Sequence, residues 1–101
     1  MLYFNLKKEW FEKIKKREKT HEYRLVKPYW TKRLTKALAV SEDELNSFKV
    51  TSDTVIRFVK GYTKEFVSGR LYSICIRNGL NTDLKVDADV YDIEFELFSN
   101  Q

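Results

Sequence analysis

The spacing of apolar side chains predicts strands and helices that alternate through the first half of the chain. Residues 2–6 alternate apolar and polar side chains, a pattern typical of a strand with one buried face. Within residues 8–17 the apolar side chains recur every three or four positions, which predicts an amphipathic helix. The predicted elements are, in chain order, strand 2–6, helix 8–17, strand 19–26, helix 28–40, a short helix opening at 41, strands 53–60 and 66–77, a short strand around 84–86, and strand 90–98.

The later strands carry the clearest alternation. Residues 90–98 switch between apolar and acidic side chains, which predicts a strand with one face in the core. The last strand is predicted to bury Tyr91, Ile93, Phe95 and Leu97 and to expose Asp92, Glu94 and Glu96, and the long strand before it is predicted to hold Tyr72, Ile74 and Ile76 on one side.

This order of elements indicates the fold class. Five or six strands, with two to three helices in the N-terminal half, predict an α+β fold. Its sheet is expected to form a small mixed β-barrel or a strongly curved surface, with the helices covering one opening. The chain has 101 residues, 43% of them hydrophobic, which is enough for one core, so we predict that 1–101 is a single domain.

The cysteine and histidine content excludes several kinds of site. Cys75 is the only cysteine, so no disulfide forms within the chain, as expected in a reducing cytoplasm. With His21 as the only histidine, the four nitrogen and sulfur ligands of a structural zinc site are missing, and we expect no metal and no cofactor. A buried strand position explains Cys75 better than a nucleophile does. A surface or hydrogen-bonded position likewise explains His21 better than catalysis does.

The chain also lacks the patterns that direct a protein to a membrane. Its first residues have no basic segment followed by a long apolar run, and no apolar stretch reaches the length of a membrane span. We therefore expect a cytoplasmic protein with no membrane partner. These patterns leave its protein partners unassigned.

Charge is distributed unevenly along the chain. Residues 1–40 hold twelve Lys and Arg against four acids, a net charge of +8, whereas residues 41–101 hold seven against eleven, a net charge of −4. A basic half on a small domain is typical of a protein that binds a polyanion. A solvated face of lysine-rich helices explains the same charge, and both interpretations stay open on charge alone.

The junction between the first helix and the second strand concentrates charged side chains. Lys19, Glu22 and Arg24 lie within six residues, at the point where helical spacing gives way to a strand. Alternation places Glu22 and Arg24 on one face of the strand, and Lys19 is close enough to the turn to reach round to Glu22. An ion pair on an exposed sheet face is the simpler interpretation, and it contributes less than about 1 kcal/mol to stability.

The same residues carry a resemblance to a known family. The run Arg17-x-Lys19-x-x-Glu22-x-Arg24 is similar to the Gly-x-Lys-x-x-Glu-x-Arg motif of ASCH domains, and the segment Lys27-Pro28-Tyr29-Trp30 follows in a similar order. The resemblance implies a PUA-like β-barrel that binds RNA in a cleft between the motif and the barrel. It implies that Lys19 contacts a phosphate or an activated water, that Glu22 reads a base edge or acts as acid and base, and that Arg24 holds Glu22 or a phosphate.

Two positions depart from the family pattern. Arg17 stands where the family has glycine, so a turn with positive φ there would strain the backbone. Family members that hydrolyse N4-acetylcytidine use a threonine nucleophile, and the corresponding position here is Glu22. Thr20 is predicted on the same strand face as Glu22, but it does not occupy the nucleophile position. The resemblance therefore favours binding over amide hydrolysis.

Three functions follow from these observations. The first is an RNA- or nucleotide-binding domain, in which basic side chains contact phosphates and two tyrosines stack on bases, while Trp30 is expected to anchor the core. The second is a hydrolase acting on RNA or a modified nucleoside, with Lys19 and Glu22 as the acid–base pair. The third is a protein-interaction domain whose charge is incidental. The predicted binding residues are Lys16, Arg17, Lys19, Glu22, Arg24, Tyr29, Arg33 and Tyr62, with further phosphate contacts from Lys7, Lys8, Lys15 and Lys32.

Overall fold

Six strands form one mixed sheet in the computed structural model, which describes residues 1–46, 48–49 and 54–99. The strands are β1 (Leu2–Leu6), β2 (His21–Leu25), β3 (Phe48–Lys49), β4 (Val55–Lys60), β5 (Phe66–Asn78) and β6 (Asp89–Leu97). The helices are α1 (Lys8–Lys15), α2 (Pro28–Leu38) and α3 (Glu42–Leu45), and a 3₁₀ turn follows β5 at Gly79–Asn81. The predicted α+β class and the early position of the helices are confirmed. The predicted start of β4 at residue 53 lies outside the described residues.

The strand order brings the two ends of the sheet round toward each other. The order is β1-β4-β5-β6-β2, with β3 pairing separately with β5. The β1–β4 pair is parallel, and the other pairs are antiparallel. The sheet curls into a half-barrel. A side chain of one edge strand reaches the other edge: Arg24 Nη2 of β2 donates to the Asn5 carbonyl of β1 at 3.2 Å. The gap between β1 and β2 is the open seam of the barrel.

The concave side of the sheet and the helices share one core. Phe4 of β1 stacks on Phe58 of β4 with ring centroids 5.9 Å apart, and on Trp30 of α2 at 5.1 Å. Each helix contributes at least one fully buried side chain to this core. The buried side chains supplied by the helices are Phe11 and Ile14 from α1, Leu34 from α2 and Leu45 from α3. No described helix is long and apolar enough to cross a membrane.

The end of α1 sets the geometry of the chain that follows. Arg17 adopts a left-handed conformation with φ of 64°. Glu18 N donates to the Lys13 carbonyl at 2.9 Å, and Arg17 N donates to the Ile14 carbonyl at 2.9 Å, which is the Schellman arrangement of a helix C-terminus. The turn therefore has positive φ at Arg17, the case in which the sequence predicts backbone strain. It redirects the chain from α1 into Lys19 and then β2.

Two predictions about the outer face of the late strands are wrong. Asp92 is predicted to be exposed with Glu94 and Glu96, but only 3% of it is accessible, because His21 and Arg77 cover its carboxylate from the neighbouring strands. Tyr72 is exposed whereas Ile74 is buried, although both belong to the same predicted face. A β-bulge between positions 71 and 73 of β5 shifts the alternation there.

The segment between β5 and β6 also differs from its prediction. The expected short strand around residues 84–86 is absent, and residues 79–88 form the 3₁₀ turn followed by further turns. The backbone of Gly79 packs so closely against Val86 that a Cβ at this position would lie 2.9 Å from the Val86 carbonyl oxygen. The loop 79–88 therefore folds against the sheet and brings its acidic tip toward β2. The two-residue strand β3 was not predicted.

Candidate functional site

A cleft opens at the seam between the two edge strands. It has a volume of about 460 Å³ and is bounded by the end of β1, residues 22–25 of β2, α1, α2 and the loop 79–88. The seam has no strand pairing along it, so side chains rather than backbone hydrogen bonds fill the gap. The charged and indole side chains that line it and are best able to contact a ligand are Trp10, Lys19, Glu22, Arg24, Trp30 and Asp83.

Glu22 lies at the centre of the charged side chains in the cleft. Its oxygen Oε2 accepts hydrogen bonds from Arg24 Nη2 at 2.7 Å and Nε at 2.9 Å, and its oxygen Oε1 lies 3.6 Å from Lys19 Nζ. Only 7% of the Glu22 side chain is exposed. A buried carboxylate is tolerated only when it is paired, and here one cation lies at each oxygen. The predicted contact between Lys19 and Glu22 is present, and the pair faces a cleft rather than open solvent.

Aromatic rings surround both cations. The Lys19 ammonium lies 4.9 Å from the Tyr23 ring centroid and 5.4 Å from that of Trp10. The Arg24 guanidinium lies 4.8 Å from the Trp30 ring and is likewise close to Phe4, at 5.0 Å. Cations held over ring faces gain electrostatic stabilisation while the rings exclude water from their other side. The cleft is therefore a charged floor between aromatic walls.

Asp83 completes the charge balance and was missed by sequence reasoning. It lies in the loop 79–88 and forms an ion pair with Lys19, so this ammonium contacts two carboxylates. An aspartate in a turn-rich loop gives no signal that it reaches a residue sixty-four positions earlier. The two innermost cations and two carboxylates cancel, and Lys7 and Lys27 add positive charge where they line the cleft.

Tyr23 contributes a neutral hydroxyl beside this cluster. Burial, followed by the nearby carboxylates of Asp92 and Asp83, raises the pKa of Tyr23 above its ordinary value of 10.0. The phenol therefore keeps its proton at neutral pH and is able to donate a hydrogen bond. Tyr23 was not among the predicted site residues, because strand alternation puts it on the face opposite Glu22 and Arg24, but it nevertheless lines the cleft.

The other predicted binding residues lie outside the lining of the cleft. Arg17 turns away from it and donates to the carbonyls of Leu97 at 3.4 Å and Phe98 at 3.0 Å, and Lys16 is exposed at the end of α1. Tyr62 is fully exposed in the turn between β4 and β5. Lys16 was predicted from its charge, Arg17 from the motif and Tyr62 as a stacking aromatic, and none of these features determines where a side chain points.

Tyr29 and Arg33 lie behind the wall that Trp30 forms. The Arg33 guanidinium is 5.2 Å from the Tyr29 ring and 5.5 Å from the Trp30 ring. Trp30 was predicted as a core anchor, and it does stack on Phe4, but its partly exposed ring also lines the cleft. Tyr29 and Arg33 thus support the position of Trp30.

The histidine and the cysteine take no part in the cleft. His21 Nδ1 lies 2.6 Å from Asp92 Oδ1, which agrees with the prediction of a hydrogen-bonded histidine. Cys75 is partly buried on β5. Thr20 is exposed and lines a separate depression beside Arg17, so the residues described along the cleft include no serine, threonine or cysteine nucleophile. Among the described residues, no group of histidine, cysteine and acidic side chains is arranged to hold a metal ion.

Comparison with known proteins identifies no family for this chain. No family model matches its sequence, and no characterised protein matches it significantly.

Proposed function

We propose that the chain is an ASCH-like domain with a PUA-like fold, and that its cleft binds one unpaired base of an RNA or a free nucleotide. The observation that carries this proposal is the buried Glu22 carboxylate held between Lys19 and Arg24 at the floor of an aromatic-walled cleft. An exposed ion pair, the simpler alternative, needs neither the burial nor the surrounding rings.

The size and walls of the cleft suit a nucleobase. Its volume of about 460 Å³ falls within the 300–1,000 Å³ that is usual for small-molecule sites. Trp10 and Trp30 both line it, and each presents a partly exposed indole. Base stacking on aromatic rings is the main means by which proteins hold unpaired nucleotides, and it tolerates any base.

The polar groups supply recognition of the base edge and the phosphate. A glutamate carboxylate accepts a hydrogen bond from an exocyclic amino group such as N4 of cytosine. Glu22 has this role, because Arg24 and Lys19 fix its orientation from both sides. Lys7 and Lys27 line the cleft and supply positive charge for the phosphate.

The backbone at Arg17 adds support for the family proposal. The position that is glycine in the ASCH motif adopts φ of 64° here, the conformation for which glycine is preferred. The spacing from this turn to Lys19, Glu22 and Arg24 is also that of the motif. The departure in residue type therefore leaves the geometry of the motif in place.

Mapping the contact surface by NMR tests the proposal. Titration of cytidine monophosphate into the ¹⁵N-labelled protein is expected to shift the indole signals of Trp10 and Trp30 and the amides of residues 19–25. Glu22→Gln is expected to weaken binding, because the amide no longer offers two acceptor oxygens. Shifts that are absent at millimolar ligand, or that cluster away from β2, would contradict the proposal.

A hydrolase acting on RNA or a modified nucleoside is the second candidate. The observation that favours it is the approach of Lys19 Nζ to Glu22 Oε1 at 3.6 Å, which suits an acid–base pair. The cleft lining described above supplies no hydroxyl or thiol nucleophile, so a water would have to attack. Incubation with RNA and with N4-acetylcytidine tests this candidate. Turnover that survives both Lys19→Ala and Glu22→Ala would place the chemistry elsewhere.

A further inference from the structure

The convex face of β1, β4 and β5 exposes large aromatic side chains. Tyr3 of β1 is 47% accessible and Phe66 of β5 is 48% accessible. The strand register places Tyr3 beside Arg57, and Arg57 beside Ser68, in one row across the sheet, with Phe66 in the adjacent row. Side chains of alternate residues on neighbouring strands share one face, so these groups form a continuous surface.

Arg57 lies between the two rings. Its guanidinium is 4.1 Å from the Phe66 ring centroid and 5.8 Å from that of Tyr3, and its Nε donates to Ser68 Oγ at 3.4 Å. Within the described part of the chain, Arg57 forms no ion pair with a carboxylate. We call the surface of Tyr3, Arg57 and Phe66 the outer platform.

The side chains of the outer platform favour one kind of ligand over another. A protein partner that buries Tyr3 and Phe66 would have to bring a carboxylate to Arg57. A nucleic acid strand supplies the complement to all three residues, because its bases stack on aromatic rings and guanidinium planes while its phosphates neutralise the cation.

The outer platform also adjoins the cleft along β1. Asn5 and Lys7 line the cleft, and Tyr3 is two residues from Asn5 on the same side of the strand, about 7 Å away. A base held in the cleft therefore has its neighbours in the strand next to the platform. No fold rearrangement is needed to connect the two surfaces.

We propose that the outer platform binds the bases that flank the one in the cleft, so that the ligand is a single-stranded stretch of nucleic acid rather than a lone nucleotide. This inference rests on the proposed function of the cleft. It assigns Tyr3 and Phe66 as stacking residues and Arg57 as a phosphate contact.

Two ligands that differ only in length separate this inference from the function of the cleft. The probes are cytidine monophosphate and a fluorescein-labelled oligocytidylate of eight nucleotides at pH 7.5. The double variant Tyr3→Ala, Phe66→Ala is expected to bind the octamer about 10-fold or more weakly, since each lost stacking contact reduces affinity severalfold. Its affinity for the mononucleotide is expected to match the wild type, which also shows that the variant is folded.

Tyr62→Ala is the matched control, because this tyrosine is fully exposed in the turn between β4 and β5 and its ring is in no contact with Tyr3, Arg57 or Phe66 among the described ring and cation contacts. It is expected to leave both affinities unchanged. Arg57→Gln removes the cation without removing a ring, and it is expected to reduce the salt dependence of octamer binding by about one phosphate contact.

The outcomes that overturn the inference are specific. If the double variant binds the octamer as tightly as the wild type and still binds the mononucleotide, the platform is not a binding surface, and the proposed function of the cleft is unaffected. If the protein forms a dimer that Phe66→Ala disrupts, and octamer addition does not shift the amides of residues 3, 57 and 66, the face serves self-association instead. Failure of both probes to bind the wild type contradicts the platform and the cleft function together.

Discussion

At the scale of single residues, two non-glycine positions with positive φ end the two longer helices. Arg17 has φ of 64° and Ala39 has φ of 55°. A side chain with a Cβ in this conformation costs roughly 1 kcal/mol relative to glycine. Arg17 offsets the cost through its guanidinium, which donates to two carbonyls at the end of β6. Ala39 has only a methyl group and makes no such contact.

Replacing Ala39 by glycine is therefore expected to stabilise the protein. The gain in the free energy of unfolding is about 0.5–1 kcal/mol, which raises Tm by several degrees in a chain of this size. Ala37→Gly is the control, because it lies inside α2 and is expected to destabilise by about 1 kcal/mol. Thermal unfolding measures the Tm of both variants against the wild type. A lower Tm for Ala39→Gly would contradict the proposed backbone strain at this turn.

The charged residues of the site show which residue-scale features are readable from sequence. The spacing of Lys19, Glu22 and Arg24 was sufficient to predict that they interact, because a strand face and a nearby turn fix their separation locally. Asp83 and Trp10 depend on how distant segments pack, and no local pattern reports that packing. Trp10 belongs to the helical spacing within residues 8–17, and that pattern indicates only a place on the apolar face of α1.

At the scale of elements, α1 is tied to the turn between β4 and β5 by ion pairs. Lys15 Nζ lies 2.8 Å from Glu65 Oε2, and Lys60 Nζ lies 3.3 Å from Glu12 Oε1 and 3.4 Å from Glu65 Oε1. The hydrogen bond and charge of Lys15, followed by the charge of Lys60, lower the pKa of Glu65 below its ordinary value of 4.5. These links hold α1 in the position from which it presents Trp10.

The lowered pKa of Glu65 gives a direction for the effect of acid. A carboxyl whose pKa is lower in the folded state stabilises the fold above pH 4.5, and this contribution disappears as the pH falls through the lower value. Urea unfolding of Glu65→Gln is therefore expected to show a deficit against the wild type at pH 7 that is smaller at pH 3. Glu18→Gln, at an exposed site after α1, serves as the control with no such change. A deficit of equal size at both pH values would contradict the ion-pair origin.

The element boundaries explain where sequence prediction failed. Periodicity located five of the six described strands and the helices α1 and α2, because each has an apolar face with a regular period. The helix α3 was predicted from the capping box that opens it, in which Ser41 and Glu44 bond each other's backbone N–H. The exposure of Tyr72 and the burial of Asp92 were not predictable, because the first depends on a bulge in the pairing of β5 with β6 and the second on side chains from two other strands. The strand expected around residues 84–86 failed because the loop packs through Gly79 rather than pairing.

At the scale of the whole molecule, the half-barrel topology produces the cleft. β1 and β2 are neighbours in the chain but opposite edges of the sheet, and curling leaves them facing each other without pairing. Both edge strands, α1 and α2 belong to the basic first forty residues, so the positive half of the sequence surrounds the seam. The charge asymmetry and the cleft are therefore features of the same side of the fold.

This arrangement predicts salt-dependent binding. Two of the cations that line the cleft, Lys7 and Lys27, are not paired with its carboxylates Glu22 and Asp83. If each neutralises one phosphate of a single strand, these two contacts are expected to make affinity for the octamer fall roughly 7-fold between 50 and 200 mM salt. Fluorescence anisotropy at the two ionic strengths measures this. Affinity that is independent of salt would show that stacking acts without phosphate contacts.

A matched pair of lysine substitutions tests the central claim, that the cleft is the binding site, most directly. Lys19 contacts Glu22 inside the cleft, whereas Lys16 is three residues earlier, equally charged and outside it. Binding of the labelled octamer at 50 mM salt is measured for Lys19→Ala and Lys16→Ala, with mononucleotide shifts at β2 recorded for both. The expected result is a loss of about 10-fold or more for Lys19→Ala and a change of at most about twofold for Lys16→Ala. Equal losses in the two variants would show that net charge, not the cleft, governs binding.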